Sequence, residues 1–159
     1  MKLDKFEFKG EKFMKIRKLT IDDYEEVYNL WTSTPGIGLN DIDDSKEEIE
    51  KYLKRNPNTC FVAETCGKII GVILSGHDGR RGFIYHTAVS IDYRNKGIGS
   101  ALVDSALKAL KEEGISKVAL VAFKQNDIGN SFWEHKGFHK RDDLIYRNKA
   151  LTENKKSDL

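Results

Sequence analysis

Only two of the 159 residues are cysteine, Cys60 and Cys66. Both fall in one predicted strand, which at roughly 3.3 Å per residue sets them about 20 Å apart and excludes a disulfide; both read as buried thiols. No apolar run approaches the roughly 18 residues of a membrane span. Met1 to Lys15 is charged throughout and lacks the apolar centre of a secretion signal, so a cytoplasmic protein with no membrane partner is expected. Charge of one sign is also missing: 27 Lys and Arg stand against 25 Asp and Glu, a net +2 with no long basic block, which leaves no electrostatic case for a nucleic-acid partner. Metal-ligand clusters are lacking too. His135 and His139 are spaced i, i+4 across a helix end without further ligands nearby and read as solvated, so no metal is expected. What remains, 39% hydrophobic and 33% charged residues, describes one ordinary soluble domain.

Against that plain background the stretch from Val89 to Ser100, V-S-I-D-Y-R-N-K-G-I-G-S, stands out. It runs a strand into a glycine-rich turn and a helix. Gly97 and Gly99 carry no side chain to block close approach, so the first amides of the helix can point at an anion, aided by the helix dipole. Arg94 and Lys96 add a forked and a point-like cation at the rim, suited to a diphosphate. Glycines that only make a tight turn are the alternative. Two familiar phosphate loops are excluded: Leu102 stands where the dinucleotide fingerprint needs a small residue, and no G-K-[ST] follows a longer glycine spacing.

The chain around this turn reads as alternating elements. Met14 to Lys18 is expected to form a strand, and Thr20, followed by Asp22 and Asp23, opens a helix to about Trp31. Thr34 to Leu39 breaks that helix, and Ser45 with Glu48 makes a capping box for a second helix ending near Arg55. Strands at about Thr59–Thr65, Lys68–Ser75 and Gly82–Ser90 form an antiparallel meander, with turns at Cys66-Gly67 and Gly76 to Arg81. Ile98, Leu102, Ala106, Ala109 and Leu110 make one apolar stripe on a helix stopped at Gly114. Val118 to Phe123 is a strand parallel to the preceding one, because a helix connects them. A short helix from about Ile128 and a final strand pair, Phe138–Arg141 and Leu144–Asn148, complete the domain, set at residues 14–150. Residues 1–13 form an extension, read as either an added strand or a loose arm, and 151–159 a polar tail.

A second motif, N-D-I-G-N-S-F-W-E-H-K-G-F from Asn126, follows R-x-x-G-x-G by some thirty residues. In this order, the pair resembles the GNAT superfamily of acetyl-coenzyme-A-dependent N-acetyltransferases, over roughly Met14 to Ala150. The run Gly76 to Val89, G-H-D-G-R-R-G-F-I-Y-H-T-A-V, is similar to a group of small bacterial members. The resemblance implies a mixed α/β sheet flanked by about four helices, in which the parallel strands Tyr85–Ser90 and Val118–Phe123 splay to admit the pantetheine arm of acetyl-CoA. It further implies that Ala88, Val89 and Ile91 contact the cofactor, that Arg94, Asn95, Lys96, Gly97, Ile98, Gly99 and Ser100 hold its diphosphate, that Asn126 hydrogen-bonds the arm, and that Trp133 packs against it. The alternative reading of Asn126 is a strand-end turn former.

Acetyl transfer to an amine needs a base. His86 has a suitable intrinsic pKa and sits on the strand beside the expected thioester, with a residue packed under the helices as the alternative reading. Strand parity puts neighbouring Tyr85 on the opposite face, unless the bulge implied by the resemblance changes which one faces the cleft. Trp133 stands where many relatives have a tyrosine acid, and its indole N–H has no proton to exchange near neutrality. Val121 is apolar where one branch, acting on ribosomal-protein N-termini, has a glutamate base. The acidic run Asp41, Asp43, Asp44, Glu47, Glu48 and Glu50 reads either as solvated helix-start charges or as a surface drawing a cationic amine. His77, Asp78, Arg80 and Arg81 could reach over the cleft or simply make their turn. Direct transfer to a primary amine of a small molecule or protein is expected, without a covalent intermediate because neither cysteine is near the thioester. The alternative is a non-catalytic acetyl-CoA-binding sensor or partner-regulating module. A monomer and a homodimer both remain open.

Overall fold

The strand signals between Phe61 and Val89 mature into the middle of a six-stranded sheet. The computed structural model describes residues 5–8 and 11–153, with side-chain surroundings from Met14 onward; the rest of the expected extension and residues 154–159 of the tail lie outside the described residues. The strands are β1 (Lys5–Phe8), β2 (Glu11–Lys18), β3 (Phe61–Thr65), β4 (Lys68–His77), β5 (Gly82–Val89) and β6 (Val118–Leu120), in sheet order β1-β2-β3-β4-β5-β6. All neighbours are antiparallel except β5 and β6. The helices are α1 (Tyr24–Thr32), α2 (Lys46–Arg55), α3 (Ile98–Glu112) and α4 (Asp127–His135). This is the expected mixed α/β architecture.

Helix α3 covers one sheet face. Its stripe Ile98, Leu102, Val103 and Ala106 packs with Met14, Ile16, Phe61, Ile70 and Ile73, and each fully buried branched side chain contributes about 1.5–3 kcal/mol. Gly71 lets the helix come close: a Cβ there would lie 3.0 Å from Leu102 Cδ1 and 3.2 Å from Ile98 Cγ2. The opposite face is covered by Val27, Leu30 and Trp31 of α1 and Ile49 of α2, against Val62, Val72 and Leu74. The caps follow the sequence: the Ser45 side chain accepts from the Glu48 amide, and the Thr20 amide donates to Asp23 at 2.9 Å before a 3-10 turn at Ile21–Asp23 leads into α1.

Three expectations are corrected. The pair Phe138–Arg141 and Leu144–Asn148 forms no strand. Arg141 instead forks onto Asp143 two residues on, at 2.8 and 2.7 Å, a local arrangement that competes with pairing, and β6, the strand at that edge, is only three residues long. Strand β6 accordingly stops at Leu120 rather than Phe123. Cys66 is exposed rather than buried, because it occupies the β3–β4 turn with φ of 50° beside Gly67 at 75°.

Cys60 is buried, and burial pushes its thiol up to about 12. Thiol alkylation of the native protein at mildly alkaline pH should therefore label Cys66 alone, with Cys60 reacting only after unfolding. Peptide mapping of the labelled protein checks this, and native labelling of Cys60 would contradict the packing described.

Candidate active site

Strands β5 and β6 stay together for three register pairs, Gly82–Val118, Phe83–Ala119 and Ile84–Leu120. Beyond them the strands part. A cleft of about 620 Å³ opens there, lined by Tyr85 to Val89 on one side and by Val121, Ala122 and Phe123 on the other. The parting begins at a bulge: Ile73 faces Thr87 while Ser75 faces Ile84, so two steps of β4 answer three of β5. The extra residue reverses the facing of the strand. Ile84 packs on the α3 side, whereas Ala88, of the same parity, packs with Val62 and Val72 on the other. Tyr85 and His86 share the bulge, and both line the cleft.

The phosphate turn closes one end. Asn95 and Gly97 take left-handed φ of 59° and 81°, turning the chain so that Gly97 caps α3. As a glycine, Gly97 brings no capping side chain, so among the described residues the first amides of the helix have no side-chain cap. Arg94, Asn95, Gly97, Ile98, Gly99 and Ser100 line the cleft, and Arg94 Nε donates to the Val89 carbonyl at 3.4 Å. Two of the residues expected at the cofactor lie outside the cleft lining. Ile91 is 73% exposed, and Lys96 stands 5.5 Å over the Tyr93 ring; neither lines the cleft. Lys136, which sequence reasoning passed over, donates to Ser100 Oγ at 2.8 Å and pairs with Asp104 at 2.6 Å, bringing an ammonium to the helix start.

Asn126 is the N-cap of α4, its Oδ1 accepting from the Gly129 amide at 3.1 Å, and it also lines the cleft. Its Nδ2 abuts Gly36, where a Cβ would come within 2.8 Å. Thus the α1–α2 loop, which also lines the cleft, is seated against the α4 cap. Trp133 packs edge-on to Phe132 and Phe138 and lines the cleft.

At the bulge, the reading of Asp44 as a solvated helix-start charge is overturned. Asp44 is buried, and its Oδ1 lies 2.7 Å from His86 Nε2, the two side chains 8% and 11% exposed. Its Oδ2 accepts from the Asn40 amide at 2.7 Å, and the Tyr24 hydroxyl donates to its carbonyl at 2.7 Å. The Trp31 ring meets the His86 ring at 4.9 Å, nearly perpendicular. Nothing in the acidic run marks Asp44 apart from Asp41 or Asp43; only the fold selects it. Tyr85 is half-exposed, its ring 4.7 Å from Phe83 and 5.9 Å from Tyr52. Burial, then the neighbouring Tyr146 and Asp43, raise its pKa, so its hydroxyl keeps its proton at neutral pH.

His77, Asp78, Arg80 and Arg81 satisfy their own turn: Asp78 Oδ1 accepts from the Arg80 and Arg81 amides, both at 2.8 Å, and the Gly79 amide donates to His77 Nδ1 at 2.9 Å. His139 faces Glu134 at 3.4 Å. Among the described residues no group of three or more His, Cys, Asp or Glu could hold a metal ion.

The family model described as the Acetyltransferase (GNAT) family matches residues 24–138, from α1 through α4. The chain belongs to the GNAT acetyltransferase family. An acetyltransferase of Sodalis glossinidius, SG1711, is 35% identical over 140 residues, covering 88% of this chain and 97% of its own. Among solved structures, Ard1 from Thermoplasma volcanium superposes with a TM-score of 0.69 at 24% identity, over 78% of this chain and 81% of its own. The PaiA N-acetyltransferase of Thermoplasma acidophilum, solved with coenzyme A, gives 0.68 at 23%, over 81% and 91%. These two likenesses establish the GNAT fold. The parted strands and open helix start suit an acetyl-CoA of that family: an extended arm along the free edge of β5, and phosphates on the uncapped amides of α3 beside Arg94.

Proposed function

We propose that the protein is an N-acetyltransferase that moves the acetyl group of acetyl-CoA directly to a primary amine. The observation that carries this reading is the coincidence, in one cleft, of an uncapped helix start fit for diphosphate and a bulged strand that presents His86. Bound acetyl-CoA supplies the acetyl group as a thioester with a thiol leaving group. The residues of the chain supply the rest. Arg94, Asn95 and Gly97 to Ser100 hold the phosphates, while Ala88 and Val89 flank the arm. Trp133 acts as an apolar wall.

An alkylammonium with a pKa near 10.4 is neutral to about one part in a thousand at neutral pH, so its proton must be removed before nitrogen can attack. His86 takes that proton. Tyr85, whose phenol carries its proton at neutral pH, gives one to the departing thiolate. Neither cysteine lines the cleft, so transfer needs no acyl-enzyme.

Thermal unfolding with acetyl-CoA tests the binding half of this reading. A ligand held only by the folded state adds about 2.7 kcal/mol at 100 times its Kd. Gly99→Trp should remove the shift while the protein stays folded, because a Cβ at Gly99 meets only ordinary contacts, 3.4 Å to Phe132 and 3.6 Å to Val89, and the indole must then project into the phosphate site. An undiminished shift in that variant would place the cofactor elsewhere. Thiol release with a diamine, a polyamine, an aminoglycoside and peptides bearing a free N-terminus or lysine tests the catalytic half. Binding without turnover on any of them would favour a sensor module.

A further inference from the structure

From the buried contact between the α1–α2 loop and the bulge of β5, we infer that Asp44 is the positioning residue that fixes the His86 tautomer, holding the proton on Nε2 so that Nδ1 is the basic nitrogen offered to the acceptor amine. This deepens the reading of His86 as the base and rests on it.

The geometry is specific. An ionised carboxylate only accepts hydrogen bonds. The Asn40 amide already donates to Oδ2, and among the described residues the remaining oxygen, Oδ1, faces Nε2 alone, at 2.7 Å, so a proton on Nε2 is what satisfies it. At 8% exposure the carboxylate has little water to turn to, and an unpaired buried charge is costly, which makes the arrangement self-enforcing. The carboxylate is itself held. Asn40 Oδ1 accepts from the Ile42 and Asp43 amides at 2.9 and 3.0 Å, and Tyr24 of α1 anchors the Asp44 carbonyl. Trp31 closes over the ring from the α1 side, so the imidazole cannot swing freely. A neutral imidazole protonated on one nitrogen carries its lone pair on the other. Proton transfer then balances simply: Nδ1 gains the ammonium proton, the amine nitrogen regains its lone pair, and the ring becomes an imidazolium against the Asp44 carboxylate.

Two measurements test this. In ligand-free protein labelled with 15N at histidine, near neutral pH, the His86 ring signals are those absent from His86→Gln. They should show a protonated Nε2 and an unprotonated Nδ1, with the Nε2 proton slow to exchange with water, and Asp44→Asn should lose that slow exchange. A doubly protonated ring, a proton on Nδ1, or unchanged exchange in Asp44→Asn overturns the inference. The wild-type spectrum decides even if the variant folds poorly. The second is a double-mutant cycle on the best amine of the panel. Asp44→Asn should lower kcat by about tenfold or more, up to the 10²–10⁴ of a positioned base. In the His86→Ala background the same change should alter the rate less than about twofold. Equal losses in both backgrounds would mean that Asp44 only tethers its loop, which overturns the positioning role and leaves His86 as the base. No loss in His86→Ala itself would instead refute the underlying reading.

Discussion

His86→Ala is expected to lower kcat by about 10²–10⁴, the range for a positioned general base, while leaving the thermal shift with acetyl-CoA intact. The separation of the two effects follows from the fold. His86 sits at the bulge, beyond the last β5–β6 register pair, whereas the phosphate turn lies past the end of β5, where α3 begins. Removing the imidazole therefore leaves the open amides and the strand edge untouched. It also leaves the Asp44 carboxylate without its Nε2 partner, so a modest loss of stability should accompany the rate effect. Kinetics on an amine identified by thiol release, beside unfolding curves with and without acetyl-CoA, separate the two. A rate within a few-fold of wild type would remove His86 from the mechanism, and loss of the cofactor shift would make it a structural residue instead.

Trp31→Ala is expected to cost about 3–5 kcal/mol, the usual range for truncating a buried tryptophan, because the indole fills the face between α1 and the sheet and is 1% exposed. Among the described residues its Nε1 has no hydrogen-bond partner although it is buried. Trp31→Phe should therefore cost much less than the alanine change: it leaves a smaller void and relieves an unsatisfied donor. Denaturant melts of the two variants give the comparison directly. If phenylalanine proves as damaging as alanine, the indole N–H makes a bond that matters. Since the ring also walls the imidazole, Trp31→Ala should impair turnover even where the variant remains folded, and Trp31→Phe should restore most of it.

Much of this architecture was legible from residue patterns. The short apolar runs of β3 to β5 with turn residues between them, the Ser45 cap, the Gly114 stop and the 3.6-residue stripe of α3 are local signals, and local signals report elements well. The turn at Gly97 was legible for the same reason, since an amide that must be approached closely selects a residue without a side chain, and the structure adds the positive φ of Asn95 and Gly97. The expected C-terminal strand pair misled because a segment's own residues say only that it could pair, whereas pairing also needs an available edge, and Arg141 with Asp143 settles that stretch locally.

By itself, then, the sequence determined the mixed sheet with its flanking helices, the placement of a glycine-rich helix start after a strand, and His86 as the side chain to watch. The tertiary structure alone decided that β5 carries its extra residue at Tyr85 and His86, that Ile91 and Lys96 stand outside the cleft, and that Asp44 is buried against His86. The physical reason is separation along the chain. Asp44 and His86 are 42 residues apart, and no periodicity or spacing rule spans that distance. Their meeting depends on α1 and α2 docking by their apolar faces, which carries the connecting loop, and with it one particular carboxylate of several, onto the bulge.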